Sequence, residues 1–308
     1  MKRLLARDGV VVLFFSPQTY WLAYRLADLM AETFGTPPLA LSFREQPCLG
    51  WGGLLLLGGS ADAVDAMRER AAADPAFPLD LIPVEGWPRQ ILPTDDWPYL
   101  YLRAPGLPRY HLLVGACCLL IAIALRRRLF RAGEEVQVPM LLLGAAFMLL
   151  EVTGVSRAAL LFGTTWAVNA YVVGAVLGMV LFANLTAARL RPNPLGWPLL
   201  GLLLSLLALL VAPLPWLASL LLPMRIVLGG AFFALPVYFS GIAFVSLWAA
   251  SPRRDLALGS NMLGSLLGGL LSMLTMLVGF QGIGLLTLAC YLGVVLSVRR
   301  AGHAVPMA

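Results

Sequence analysis

The sequence predicts a polytopic α-helical membrane protein with about seven transmembrane segments, preceded by part of an α/β domain. Three observations carry this. Of the 308 residues, 60% are hydrophobic and only 12% charged, whereas soluble domains carry about 25% charged residues. After Pro108 the apolar residues fall into runs near the ~20 residues that a helix needs to cross a bilayer. Before Pro108 short β-branched runs alternate with amphipathic ones. The expected organisation is an α/β segment over 1–73, a linker rich in proline and aromatics over 74–108, a membrane domain over 109–300 and a tail over 301–308.

Taken in order, Asp8-Gly9 reads as a turn. Residues 10–15 (VVVLFF) are continuously apolar, which predicts a strand buried on both faces of a parallel sheet. Ser16-Pro17 reads as the N-cap and first residue of a helix. Leu22, Leu26, Leu29, Met30 and Phe34 recur at helical spacing, and Gly35 stops them. Residues 39–44 and 53–57 read as two more strands around a Gly-rich loop at Trp51. Ser60 caps a second helix, with Asp62 and Asp65 early and Arg68 and Arg70 late, complementing its dipole. A unit that opens on a long apolar strand is expected to need further sheet beside it. Trp87, Trp97, Tyr99 and Tyr101, among several prolines, fit an interfacial belt or a strand pair.

Apolar segments follow at about 110–125, 136–153, 165–188, 195–212, 224–250, 256–279 and 282–298, the first two short. Residues 217–222 read as a half-helix ahead of Pro223, and Pro236 as a kink. The net charge of +6 comes largely from arginines at segment ends, such as Arg126, Arg127, Arg128, Arg131, Arg253, Arg254, Arg299 and Arg300. That placement suits loops held against anionic lipid and argues against nucleic acid as partner. The four cysteines form no CxxC pair and there are two histidines, so neither a zinc site nor a disulfide framework is expected.

Few residues carry chemistry. Glu151 sits deep in an apolar run, where a carboxylate needs a partner; Arg157 and Arg225 are the candidates, with Gly154 a break that lets Glu151 and Arg157 meet. A structural ion pair is favoured over a proton or substrate site. Asn169, Asn184 and Asn261 read as interhelical hydrogen-bonding residues, or with Glu151 as a polar cavity. Ser260, Gly264, Gly268 and Ser272 form a small-residue stripe, as do Ala170, Gly174 and Gly178, predicting close helix approach. Asp95 and Asp96 in Thr94-Asp95-Asp96-Trp97-Pro98 offer a site for a polyamine or other cation, or a capped turn, which is favoured. No glycine-rich phosphate loop and no Ser-His-Asp set is present.

The 94–98 motif, Leu143-Gly144-Ala145-Ala146-Phe147-Met148-Leu149-Leu150-Glu151, residues 161–169 (LFGTTWAVN) and residues 257–264 (ALGSNMLG) carry a resemblance. Across nearly its whole length the chain resembles the bacterial integral-membrane spermidine synthase-like proteins. The resemblance implies a Rossmann-type, methyltransferase-like domain of which residues 1–60 supply the last strands and helix. It implies aminopropyltransferase-like use of decarboxylated S-adenosylmethionine or S-adenosylmethionine in a full-length relative, in the bacterial inner membrane. The family's glycine-rich loop, ribose-binding acid and catalytic aspartate have no counterpart here. No catalytic, cofactor-binding or metal residue is carried over, and no cofactor is expected in this chain alone. The expected partners are lipid and either the upstream half of such a domain or a second copy. The alternatives are a small-solute or polyamine transporter or binding module, and a membrane scaffold. Arginine placement over seven spans puts residues 1–108 outside, while S-adenosyl chemistry puts them in the cytoplasm. The cytoplasmic placement is favoured, with segment 110–125 then not fully crossing.

Overall fold

The computed structural model describes residues 5–6, 8–43, 53–74, 79–129, 134–162, 166–190, 195–211, 216–217 and 219–300. It divides into two compact units: residues 1–94 with 98–105, and residues 95–97 with 106–308. Residues 74–108, read as one linker, are thus shared between them. The loop at Trp51 and the tail 301–308 lie outside the described residues.

The first unit contains β1 (Val10–Phe15), α1 (Tyr20–Phe34), β2 (Leu39–Phe43), β3 (Leu54–Gly59), α2 (Ala61–Ala73) and β4 (Leu79–Ile82). The sheet order is β1-β3-β2-β4. Every neighbouring pair is antiparallel, which corrects the expected parallel pairing of β1. β1 and β2, both antiparallel to β3, run parallel to each other with β3 between them. The strand that is apolar on both faces is therefore β3. Its Leu54, Leu56 and Leu57 are nearly inaccessible, whereas Val12 and Phe14 of β1 are 54% and 56% exposed.

Alternation along the strands divides the core in two. Leu13, Phe15, Leu54, Leu56 and Ala40 meet Ala23, Leu26 and Met30 of α1. Val10, Leu55, Leu57, Leu39 and Leu41 meet Val64 and Met67 of α2. The two helices thus cover opposite faces. α1 begins after Thr19, not Ser16, and ends as expected at Gly35 in the left-handed region. Ser60 Oγ accepts from Ala63 N–H at 3.2 Å, as its capping role requires.

The second unit contains α3 (Arg109–Leu129), α4 (Val138–Phe162), α5 (Trp166–Arg189), α6 (Gly196–Val211), α7 (Leu222–Ala250), α8 (Arg254–Ser272) and α9 (Thr275–Arg300). Four candidate spans, Val138–Ala159, Ala170–Arg189, Pro223–Ala250 and Thr275–Arg300, are long and apolar enough to cross a membrane. The apolar helices Arg109–Leu125 and Gly196–Val211 are shorter. The run read over 256–279 ends early, at Ser272, and α9 contains a break at Gly279, φ 72°. α7 continues through Pro236, and α4 through Gly154.

Packing against α4 sets the arrangement. A side chain at Gly264 or Gly268 would strike the backbone of Leu141 or Ala145, and one at Gly144 would strike that of Asn261. α8 therefore lies in close backbone contact with α4 and runs in the same direction. Ser260, fully buried, accepts from Gln137 N–H at 2.9 Å. Ser272 instead donates to Gly269 O within its own helix. The second stripe does not pack as expected, because Gly174 and Gly178 have open space where a side chain would go. The α5–α7 contact uses Ala175 and Ala183 against Gly230 and Gly241.

The bundle has two distinct ends. At one, Arg253 bonds Glu134 at 2.8 Å, and the Gln137 amide donates to Ser251 Oγ at 3.0 Å. At the other, Asp96, Trp97 and Gly106 meet Met276, Phe280 and Gln281. Between them, buried Tyr291 donates to Ser240 at 3.0 Å, joining α9 to α7.

Candidate functional site

The polar side chains singled out from sequence do not converge. Arg157 donates to the carbonyl of Leu209 at 3.0 Å. That carbonyl is in the last turn of α6, where backbone acceptors lack intrahelical partners. Arg225 likewise donates to Leu220 O at 2.9 Å. Neither arginine makes an ion pair with Glu151, so the expected pairing is corrected. On a continuous α4, residues 151 and 157 point about 120° apart, and each guanidinium is held by a backbone carbonyl.

Glu151, half-buried, makes no hydrogen bond or ion pair among the described residues. It lines a cleft between α4, α5 and α7, with Gly154, Tyr171, Ala175, Gly230 and Phe233 among its walls. The cleft is small. It is narrow enough to have room for about one water molecule. An ionised carboxylate inside an apolar span costs at least about 2.5 kcal/mol if nothing compensates it.

A second cleft lies on the other side of Gly154, lined by Thr153, Arg157, Leu209, Phe233, Phe280 and Thr287. The Asp96 carboxylate accepts the Gln281 N–H at 2.7 Å and its carbonyl accepts the Phe280 N–H at 2.9 Å. It thus caps the helical stretch after Gly279, where negative charge is favoured by the helix dipole. A side chain at Gly279 would run into this carboxylate. Trp97 Nε1 donates to Met276 O at 2.8 Å, and Asp95 is exposed. The expected cap was a local turn made by Thr94 or Asp95; the cap seen here is made by Asp96, on a helix far along the chain. No group of three or more metal-ligating side chains occurs among the described residues.

Asn261 donates to Met140 O at 3.2 Å, an interhelical bond as expected. Asn184 is exposed on α5. The side chain of Asn169 lies outside the described residues.

Sequence reasoning passed over Arg25. It is fully buried, with its guanidinium 4.9 Å from the Trp21 ring centroid. It donates to the carbonyls of Leu100 at 2.8 Å and Arg103 at 2.7 Å, and also to Leu102. Burial lowers its pKa. The signal was present: Arg25 follows Leu22 by three positions, on the apolar stripe of α1. It ties residues 98–105 to that helix.

No family model, curated protein or solved structure matches this chain.

Proposed function

We propose that this chain is the membrane-embedded part of a spermidine synthase-like protein, its α/β unit being the closing portion of a methyltransferase-type Rossmann domain. The observation that carries the reading is the strand order. β1 and β2 run in one direction, joined through α1, and β3 is inserted antiparallel between them. Parallel strands require such a crossover helix. Helices on both faces are the layering of α/β domains. The reading assigns further strands to the edge of β1 that is unpaired among the described residues, supplied by an upstream half or a second copy. Residues 1–308 contain no glycine-rich phosphate loop, so S-adenosyl compounds are expected to bind only when that sheet is completed.

The test is calorimetric titration of decarboxylated S-adenosylmethionine into this chain, alone and co-purified with the polypeptide encoded immediately upstream. Binding by the pair and none by the chain alone supports the reading. Saturable micromolar binding by the chain alone contradicts it, as does the absence of binding by the pair.

We further infer that all seven helices α3–α9 cross a bacterial inner membrane. Support comes from alternation: Glu134 before α4 meets Arg253 after α7, while Gly106 before α3 meets Met276 in the first turn of α9. α6, at 16 residues, is about 24 Å long, so this crossing needs local thinning of the bilayer. Arg253, Arg254, Arg299 and Arg300 fall at the Glu134 end, which by the positive-inside rule is cytoplasmic. The Asp96 end, where the chain passes to the α/β unit, then faces away from the cytoplasm. A second reading, a small-solute module of the membrane, rests on that orientation.

A further inference from the structure

We propose that the cleft at Glu151 binds a primary ammonium group carried on an apolar body. The inference goes beyond the transferase reading and does not depend on it.

Three features of the cleft define the ligand. The first is charge. Glu151 lies in the interior of the Val138–Ala159 span without a hydrogen bond or ion pair among the described residues. Arg157 and Arg225 each donate to a backbone carbonyl instead. A carboxylate in such a place is stable as the anion only beside a cation. The second is size. Room for about one water also admits –NH₃⁺, a compact group with three donors, and excludes a quaternary ammonium. The third is the wall. Val155, Val172, Ala175, Ile226 and Phe233 offer apolar contact, and a side chain at Gly154 would meet nothing within 4 Å. These apolar walls match an aliphatic tail, and Tyr171 adds an aromatic side chain to the lining.

The ammonium can come from a soluble alkylamine or from the headgroup of an aminophospholipid. The test is thermal unfolding of the whole chain in nanodiscs of phosphatidylcholine, titrated with n-butylammonium, tetramethylammonium or 1-butanol. Saturable stabilisation by n-butylammonium alone is expected, and its loss in Glu151→Gln. If Glu151→Gln does not fold, Gly154→Val fills the same space and is expected to abolish the shift. A parallel set with ethanolamine phospholipid distinguishes the sources. Stabilisation that depends on Glu151 and removes the n-butylammonium response assigns the lipid. An unchanged response assigns the soluble amine. Equal shifts in wild type and Glu151→Gln, equal shifts from tetramethylammonium or butanol, or no shift in either lipid overturn the proposal.

Discussion

Arg25 and Asp96 are charged side chains that organise backbone. Arg25 gathers carbonyls from residues 98–105 at one buried point. Hydrogen bonds from a charged donor are worth about 1.5–3 kcal/mol each. Arg25→Met should therefore lower the stability of the first unit by about 3 kcal/mol or more, and expose Tyr99–Arg103 to protease. Arg25→Lys should be intermediate, because a point charge cannot fork between carbonyls. Denaturant titration with proteolytic mapping checks both. Asp96→Ala should cost about 1 kcal/mol through the lost cap, and Asp96→Asn much less. Gly279→Ala should cost more than either, since the added carbon meets Asp96 and φ is 72°. Melting temperatures of the three variants give the ranking.

The helices and their caps were legible at the scale of elements because they are local. Leu22, Leu26 and Met30 declared α1, and Gly35 its end. The direction of β1 was not legible, since an apolar run does not encode which strand lies beside it. The break at Gly279 falls where the run read over 256–279 ends, but the earlier end of α8 at Ser272 was hidden because residues 273–279 are mostly apolar. The small-residue stripe was read correctly through Ser260, Gly264 and Gly268, but the equivalent pattern at Gly174 and Gly178 was not a contact. Spacing shows that helices can approach, not that they do. Gly264→Leu and Gly268→Leu should thus strongly lower thermal stability in detergent, with Leu266→Ala milder and Gly174→Leu tolerated. Equal effects at 174 and 264 would contradict the packing.

Arg253 joins elements electrostatically. Its hydrogen bond holds the Asp255 carboxyl at about 2, and it also bridges to Glu134. A carboxyl whose pKa is lower in the folded state stabilises above its unfolded value of about 3.9. This contribution disappears as pH falls through the folded value. The stability difference between wild type and Arg253→Gln should therefore be constant near neutrality and shrink between about pH 4 and pH 2. Both groups are exposed, so salt should shrink it as well.

The second unit is a helix bundle with a basic end and an end closed by Asp96 and Trp97. Composition made the membrane class legible. The partner of Glu151 was not, because positions along one helix do not report distances between helices. The most direct test is topology, with the four native cysteines replaced by alanine. Single cysteines at Asp95 and Arg254, both exposed, are probed in intact cells with a membrane-impermeant thiol reagent. Labelling at 95 from outside, and at 254 only after permeabilisation, is the expected result. Labelling at both from the same side contradicts the seven crossings. Labelling at 254 alone from outside keeps the crossings, contradicts the assignment of the basic end and places the α/β unit with cytoplasmic S-adenosyl compounds.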